Sequence, residues 1–188
     1  LAYSSFHFIL STYFSAIYMP LLSYWHDLCF IDFMKNIRVH KHTIFRKTKD
    51  VLFFDITMPK SNAADLVIHE SAAISPPDDS LGNKQFYIHF HQIDNNRVVH
   101  GSRTFELVNF EWEKPYQIIE LNRDSGALRI PKKTYHRSVS SESGSIVINQ
   151  SERDDLFQAK KEFEPVSVTQ DEKLKHILTN VRPLIVKL

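Results

Sequence analysis

The residues best suited to chemistry in this 188-residue sequence are histidines, and those that matter gather between Phe86 and Arg137. His89 and His91 stand two apart in Phe86-Tyr87-Ile88-His89-Phe90-His91, and His136 closes Ile130-Pro131-Lys132-Lys133-Thr134-Tyr135-His136-Arg137. An unperturbed imidazole has a pKa of ~6.5, so it takes up or releases a proton near neutrality, and it is also a common metal ligand. In an extended strand successive side chains face opposite ways. Tyr87, His89 and His91 would then share one face, and Phe86, Ile88 and Phe90 the other. Any half-buried strand shows the same alternation with its histidines in water, so the pattern leaves a purely structural reading open. His40, His42, His69 and His100 read most simply as structural or exposed.

The elements that must position these residues read as strands. Val51–Ile56, Leu66–His69, Phe86–His91, Arg103–Asn109, Tyr116–Leu121, Ala127–Ile130 and Ser145–Asn149 are short β-branched or aromatic runs. Pro59-Lys60-Ser61-Asn62 and Pro76-Pro77-Asp78-Asp79 punctuate them, and regular spacing of this kind predicts an all-β sandwich, barrel or jelly roll. Gly82, Gly101, Gly126 and Gly144 all fall between the predicted strands, where positive φ is needed. Past Ser151 the chain turns polar, with a loop and short helix up to Phe163. A helix from Thr169 or Gln170 to Asn180 follows, capped by Thr169, and a tail at Pro183–Leu188 could add a strand.

Composition narrows the functions. With 43% hydrophobic and 24% charged residues the chain suits one globular domain with extensions. A balance of 23 basic against 22 acidic residues creates no broad field, which argues against general nucleic-acid binding and leaves a small anionic ligand open. The lone Cys29 excludes an intrachain disulfide framework and a multi-cysteine zinc site.

The first 33 residues differ from the rest. No Asp, Glu, Lys or Arg occurs before Asp27, and Phe6–Leu22 nears the ~20 apolar residues of a membrane helix. A signal peptide would want a basic start and a small-residue cleavage site, and neither is visible. A membrane anchor fits the length, against Pro20, His7 and several Ser and Thr. The abrupt change toward an ordinary globular mixture at Met34 favours a non-native leader, with the protein running from Met34 to Leu188. The expected division is a leader at 1–33, a β-barrel domain at 34–163 and a C-terminal helix and strand at 164–188.

Two linked motifs carry a resemblance. His89-x-His91, with Asn95 four residues later and Gly101 closing the next strand, has the spacing of the first cupin motif. Gly126, Pro131 and His136 match the second, a glycine, a proline and a histidine five residues past it. Asn95 stands where metal-binding cupins carry an acidic ligand. From Gly101-Ser102 through Leu121-Asn122-Arg123, Ala127–Pro131, Tyr135-His136 and Asn149-Gln150-Ser151, the chain resembles the sugar 3,4-ketoisomerase (WxcM-like) cupins.

That resemblance implies a cupin-type jelly-roll barrel with a short C-terminal helical extension. It implies an isomerase that moves a keto group on a dTDP-4-oxo-6-deoxyhexose in deoxysugar or polysaccharide synthesis. His89 and His91 would be the acid/base pair, Tyr87 a hydroxyl donor and His136 a residue lining the pocket. Arg97, Arg103, Arg129 and Arg137 are candidates for the diphosphate, because a guanidinium fork matches phosphate oxygens. It further implies no cofactor, a homodimer in the cytoplasm, and contact with a membrane only if the leader is native. Two alternatives stand beside it: a metal-dependent cupin using His89, His91 and His136, and a non-catalytic domain that binds a sugar nucleotide.

Overall fold

The structure, a computed structural model, describes residues 37–188, so the apolar leader and the start at Met34 lie outside the described residues. Twelve strands dominate: β1 (Arg38–His40), β2 (Thr43–Lys47), β3 (Leu52–Asp55), β4 (Ala63–His69), β5 (Ile74–Ser75), β6 (Gln85–Ile88), β7 (Gln92–Val108), β8 (Tyr116–Asn122), β9 (Ala127–Ile130), β10 (Tyr135–Arg153), β11 (Val166–Ser167) and β12 (Leu184–Lys187). Two short helices, α1 (Ala159–Glu162) and α2 (Glu172–Asn180), lie near the C-terminus. Among the described residues no helix is long and apolar enough to cross a membrane.

Strands β7 and β10 organise everything else. They pair antiparallel along their length, from Val108 opposite Tyr135 to Gln92 opposite Arg153. Each serves two leaves. The first half of β7 pairs with β9, and β9 with β1, while the second half of β10 pairs with β4. The second half of β7 pairs with β8, and β8 with β12 in parallel; the first half of β10 pairs with β5 and β6, and β6 with β11. Hairpin β2–β3 forms a separate two-stranded sheet.

The sequence reading saw Arg103–Asn109 and Ser145–Asn149 as separate short strands. They are parts of strands of 17 and 19 residues. The apolar pattern hid the first part of β7 because Asp94, Asn95 and Asn96 are buried polar residues inside the sheet. Gly101 and Gly144 are corrected likewise: they sit inside β7 and β10, at the register shift between Ser140 and Ser145. Gly101 has φ 71°, and a Cβ there would come within 2.3 Å of Gly144 O. Such a bulge is where a long strand bends from one leaf to the next. Gly101→Ala is expected to cost at least about 1–3 kcal/mol in urea unfolding. It should exceed Gly82→Ala, since Gly82 has φ 79° but open space around it.

Alternation along the strands makes two apolar layers. Val98, Phe105, Leu107, Ile119, Leu121, Leu128, Ile130 and Val147 fill the space between the leaves. On the outer face of the second leaf Phe86, Val108, Tyr116 and Tyr135 pack against Leu174 and Ile177 of α2. The helix cap differs from the expected Thr169. Ser167 and Gln170 close a capping box on a 3-10 turn at Val168–Gln170, and α2 starts one residue later on Asp171, which accepts from Lys173 N and Leu174 N. The Tyr135 hydroxyl donates to Asp171 at 2.6 Å, tying the cap to the sheet. The tail forms the expected strand as β12.

Candidate active site

Two strand starts and one strand end meet at a polar patch of the barrel interior. Tyr87 on β6 lies opposite His136 on β10, so both rings emerge side by side, 6.1 Å between centroids. Strand β6 ends at Ile88, and this corrects the expected run Phe86–His91. The Glu162 carboxylate, buried on α1, accepts from Phe90 N at 2.9 Å and His91 N at 3.3 Å and holds His89–His91 in a bend. The bend breaks the alternation: Phe86 is buried, Phe90 is exposed, and His89 and His91 part company.

His89 turns inward and is 3% exposed. Its ring lies 4.8 Å from that of His136 and 6.5 Å from that of Tyr87. Between the imidazoles stands Asp94, whose Oδ2 is 3.5 Å from His89 Nε2 and 3.6 Å from His136 Nε2. The other oxygen of Asp94 accepts from Gln92 Nε2 at 2.7 Å and Asn149 Nδ2 at 2.9 Å. Gln92 in turn accepts from Arg153, which pairs with Asp65. This chain of bonds aims Oδ2 at the histidines.

The tautomer of His136 follows from its neighbour. Nδ1 lies 3.1 Å from the Thr134 carbonyl, which only accepts, so Nδ1 carries the hydrogen and Nε2 presents a lone pair. Burial, followed by the nearby His89, lowers its pKa to about 4 and keeps the ring neutral at pH 7. His89 Nδ1 is buried without a hydrogen-bond partner and faces Glu162 Oε2 at 3.6 Å. Phe163 caps the patch, its ring edge-on to His89 at 5.2 Å and to Tyr87 at 6.2 Å.

The other expected site residues lie elsewhere. His91 faces the surface and pairs with Asp154 at 3.1 Å. Arg97 is buried beside His42. Arg103 is tied to Ser145 through Nε at 2.8 Å and Nη2 at 3.2 Å, and burial lowers its pKa to about 10. Arg129 is bound by Glu152 and Asn95. Arg137 pairs with Asp78 at 2.9 Å and lies over the Phe86 ring. None of the four arginines bonds to the His89–Asp94–His136 cluster among the described residues.

The sequence reading missed Asp94, Glu162 and Phe163. It sought the acidic partner at residue 95, but alternation along β7 sends Asn95 to the opposite face, where its amide donates to Gln150 O. Asp94, one position earlier, points at the histidines. An acidic residue five places after His89 was the available signal. Glu162 lies 73 positions beyond His89 with no local pattern to mark it.

No family model and no curated protein matches the sequence. Solved structures do. The 3,4-ketoisomerase QdtA from Thermoanaerobacterium thermosaccharolyticum, a mutant in complex with TDP-4-keto-6-deoxyglucose, is similar with a TM-score of 0.53 at 12% identity, over 77% of this chain and 96% of that one. A dTDP-4-dehydrorhamnose 3,5-epimerase from Bacillus anthracis, with TDP and PPi bound, gives 0.54 at 15% identity over 80% and 89%. The TDP-quinovose 3,4-ketoisomerase WlaRB from Campylobacter jejuni gives 0.50 at 15% identity over 69% and 92%. At these identities the likeness establishes the architecture: an all-β, cupin-type jelly roll with a short helical extension.

Proposed function

We propose that the protein is an isomerase that moves a keto group between C4 and C3 of a nucleotide-linked 4-keto-6-deoxy sugar, a dTDP-sugar in the first instance. The observation that carries this reading is the pair of buried imidazoles with Asp94 between them. A 4-keto sugar becomes its 3-keto isomer when a base removes the proton on C3 and an acid protonates C4 through an enediol. His136 presents an unprotonated Nε2 and accepts the C3 proton. The O3 hydroxyl proton moves to O4 in the enediol, His89 delivers a proton to C4, and Asp94 Oδ2, close to both Nε2 atoms, relays the proton taken up by His136 back to His89. The Tyr87 hydroxyl hydrogen-bonds the enediol oxygens. Structural likeness to enzymes of nucleotide sugars supports the substrate class.

The same reading carries a cytoplasmic homodimer. Support for self-association comes from Ile44, Phe45, Val51 and Leu52, exposed on the separate β2–β3 hairpin, and from Leu66 and Ile68, exposed on β4. Strand β4 pairs on one side only among the described residues, and an unpaired edge beside apolar side chains invites a second chain.

A second reading is favoured by the ligand atoms themselves. His89, Asp94 and His136 each offer one atom, all within 4.8 Å of one another, a nitrogen and oxygen set suited to a divalent cation. One experiment separates the two. The protein, with and without prior EDTA treatment, is incubated with dTDP-4-keto-6-deoxyglucose in heavy water and followed by NMR. Deuterium at C4 of a 3-keto product, unaffected by EDTA, supports the proton-transfer isomerase. Loss of turnover after EDTA, restored by one divalent metal, supports the metal reading. No exchange under either condition overturns both.

A further inference from the structure

A second site lies away from the histidine cluster, under the β2–β3 hairpin. Arg97 is 4% exposed, and its buried Nε has no hydrogen-bond partner. Its Nη1 lies 3.2 Å from His42 Nδ1; a guanidinium only donates, so His42 accepts there and carries its own hydrogen on Nε2. No carboxylate among the described residues pairs with Arg97, whose pKa is lowered by burial alone. Phe54, Ile56, Val98, Val99 and Arg123 line the rest of a cavity of about 140 Å³. Since a liquid water takes up about 30 Å³, there is room for a tetrahedral oxyanion.

A buried cation without a counter-charge is costly, and a fold retains it where something else supplies the charge. We infer that this cavity binds a small oxyanion, a phosphate or carboxylate group, held by Arg97 with help from His42 Nε2–H and Arg123. The guanidinium offers a planar fork to two oxygens, beside a wall that is mostly apolar. Arg123 has an acidic neighbour, Asp124, 3.6 Å from its Nε, and is exposed, so it acts at the rim. Binding here would join the hairpin, which carries His42 and Phe54 at its ends, to the first leaf.

The inference does not rest on the isomerase reading, and the two fail separately. Isothermal titration of the full chain with inorganic phosphate, in a cationic buffer free of other oxyanions, is the test, with acetate and sulfate as parallel titrants. Saturable binding at one site per chain is expected. Arg97→Gln should weaken it at least tenfold and Arg123→Gln about threefold, while His89→Asn leaves it unchanged. Tighter binding of acetate than phosphate identifies the ligand group as a carboxylate. Should Arg97→Gln not fold, His42→Ala, which removes one donor at the cavity edge, is expected to weaken binding about threefold. Equal affinity in wild type, Arg123→Gln and His42→Ala overturns the inference, as does loss of binding in His89→Asn, which would place the anion at the histidine cluster.

Discussion

His89→Asn is expected to lower kcat on a dTDP-4-keto-6-deoxy sugar by about 10²–10⁴-fold, the usual contribution of a positioned general acid or base. His91→Asn should change it by less than about threefold. The contrast is the sharpest consequence of the bend at His89–His91. Two histidines that a regular strand would place on one face are separated, one beside Asp94 and His136, the other paired at the surface with Asp154. Asn preserves much of the imidazole's shape and keeps a polar group opposite Asp94, so the melting temperature of His89→Asn should stay near that of wild type. Equal kinetic losses in the two variants would sink the assignment, and so would wild-type turnover in His89→Asn.

Acid should destabilise the protein well above the range in which carboxylates titrate. In the unfolded chain His136 titrates near ~6.5, and in the fold burial lowers it to about 4. Between these values the unfolded state binds a proton that the folded state refuses, so stability falls as pH falls from 6.5 to 4 and is fully retained above 6.5. The loss from this one residue is on the order of 3 kcal/mol. His40 and His69, lowered chiefly by burial, and His42, lowered by burial and then by Arg97, add in the same direction. Urea unfolding between pH 8 and 4.5, in EDTA so that no metal contributes, reads the slope. His136→Asn should flatten much of it; an unchanged slope would mean that His136 is protonated in the fold.

Both expectations depend on features that the sequence shows only in part. The alternation Phe86-Tyr87-Ile88 predicts that Phe86 and Tyr87 face opposite ways; in the fold Phe86 enters a core and Tyr87 lies beside His136. It fails two residues later, because Glu162 captures the amides of Phe90 and His91 and ends the strand. The expected pocket arginines are likewise distributed by local partners. Arg103 is drawn to the Ser145 bulge, Arg129 to Glu152 and Arg137 to Asp78. A guanidinium in a sequence advertises a charge, and the charge goes to whichever acceptor the topology brings within reach.

What the sequence by itself determined is the class of fold, the short strands of the central region, and the C-terminal helix and strand; it also pointed to His89 and His136 as candidates, which the fold brings together. These follow from β-branched runs, turn residues and motif spacing, which act over a few residues. Only the tertiary structure decided that β7 and β10 are long strands bent at Gly101 and Gly144, that Asp94 and not residue 95 meets the histidines, and that Glu162 and Phe163 close over them. The physical reason is the same in each case. Buried polar side chains such as Asp94, Gln92, Asn149 and Glu162 are tolerated because partners far away in sequence bond to them, and those partners come within reach only once the leaves have paired.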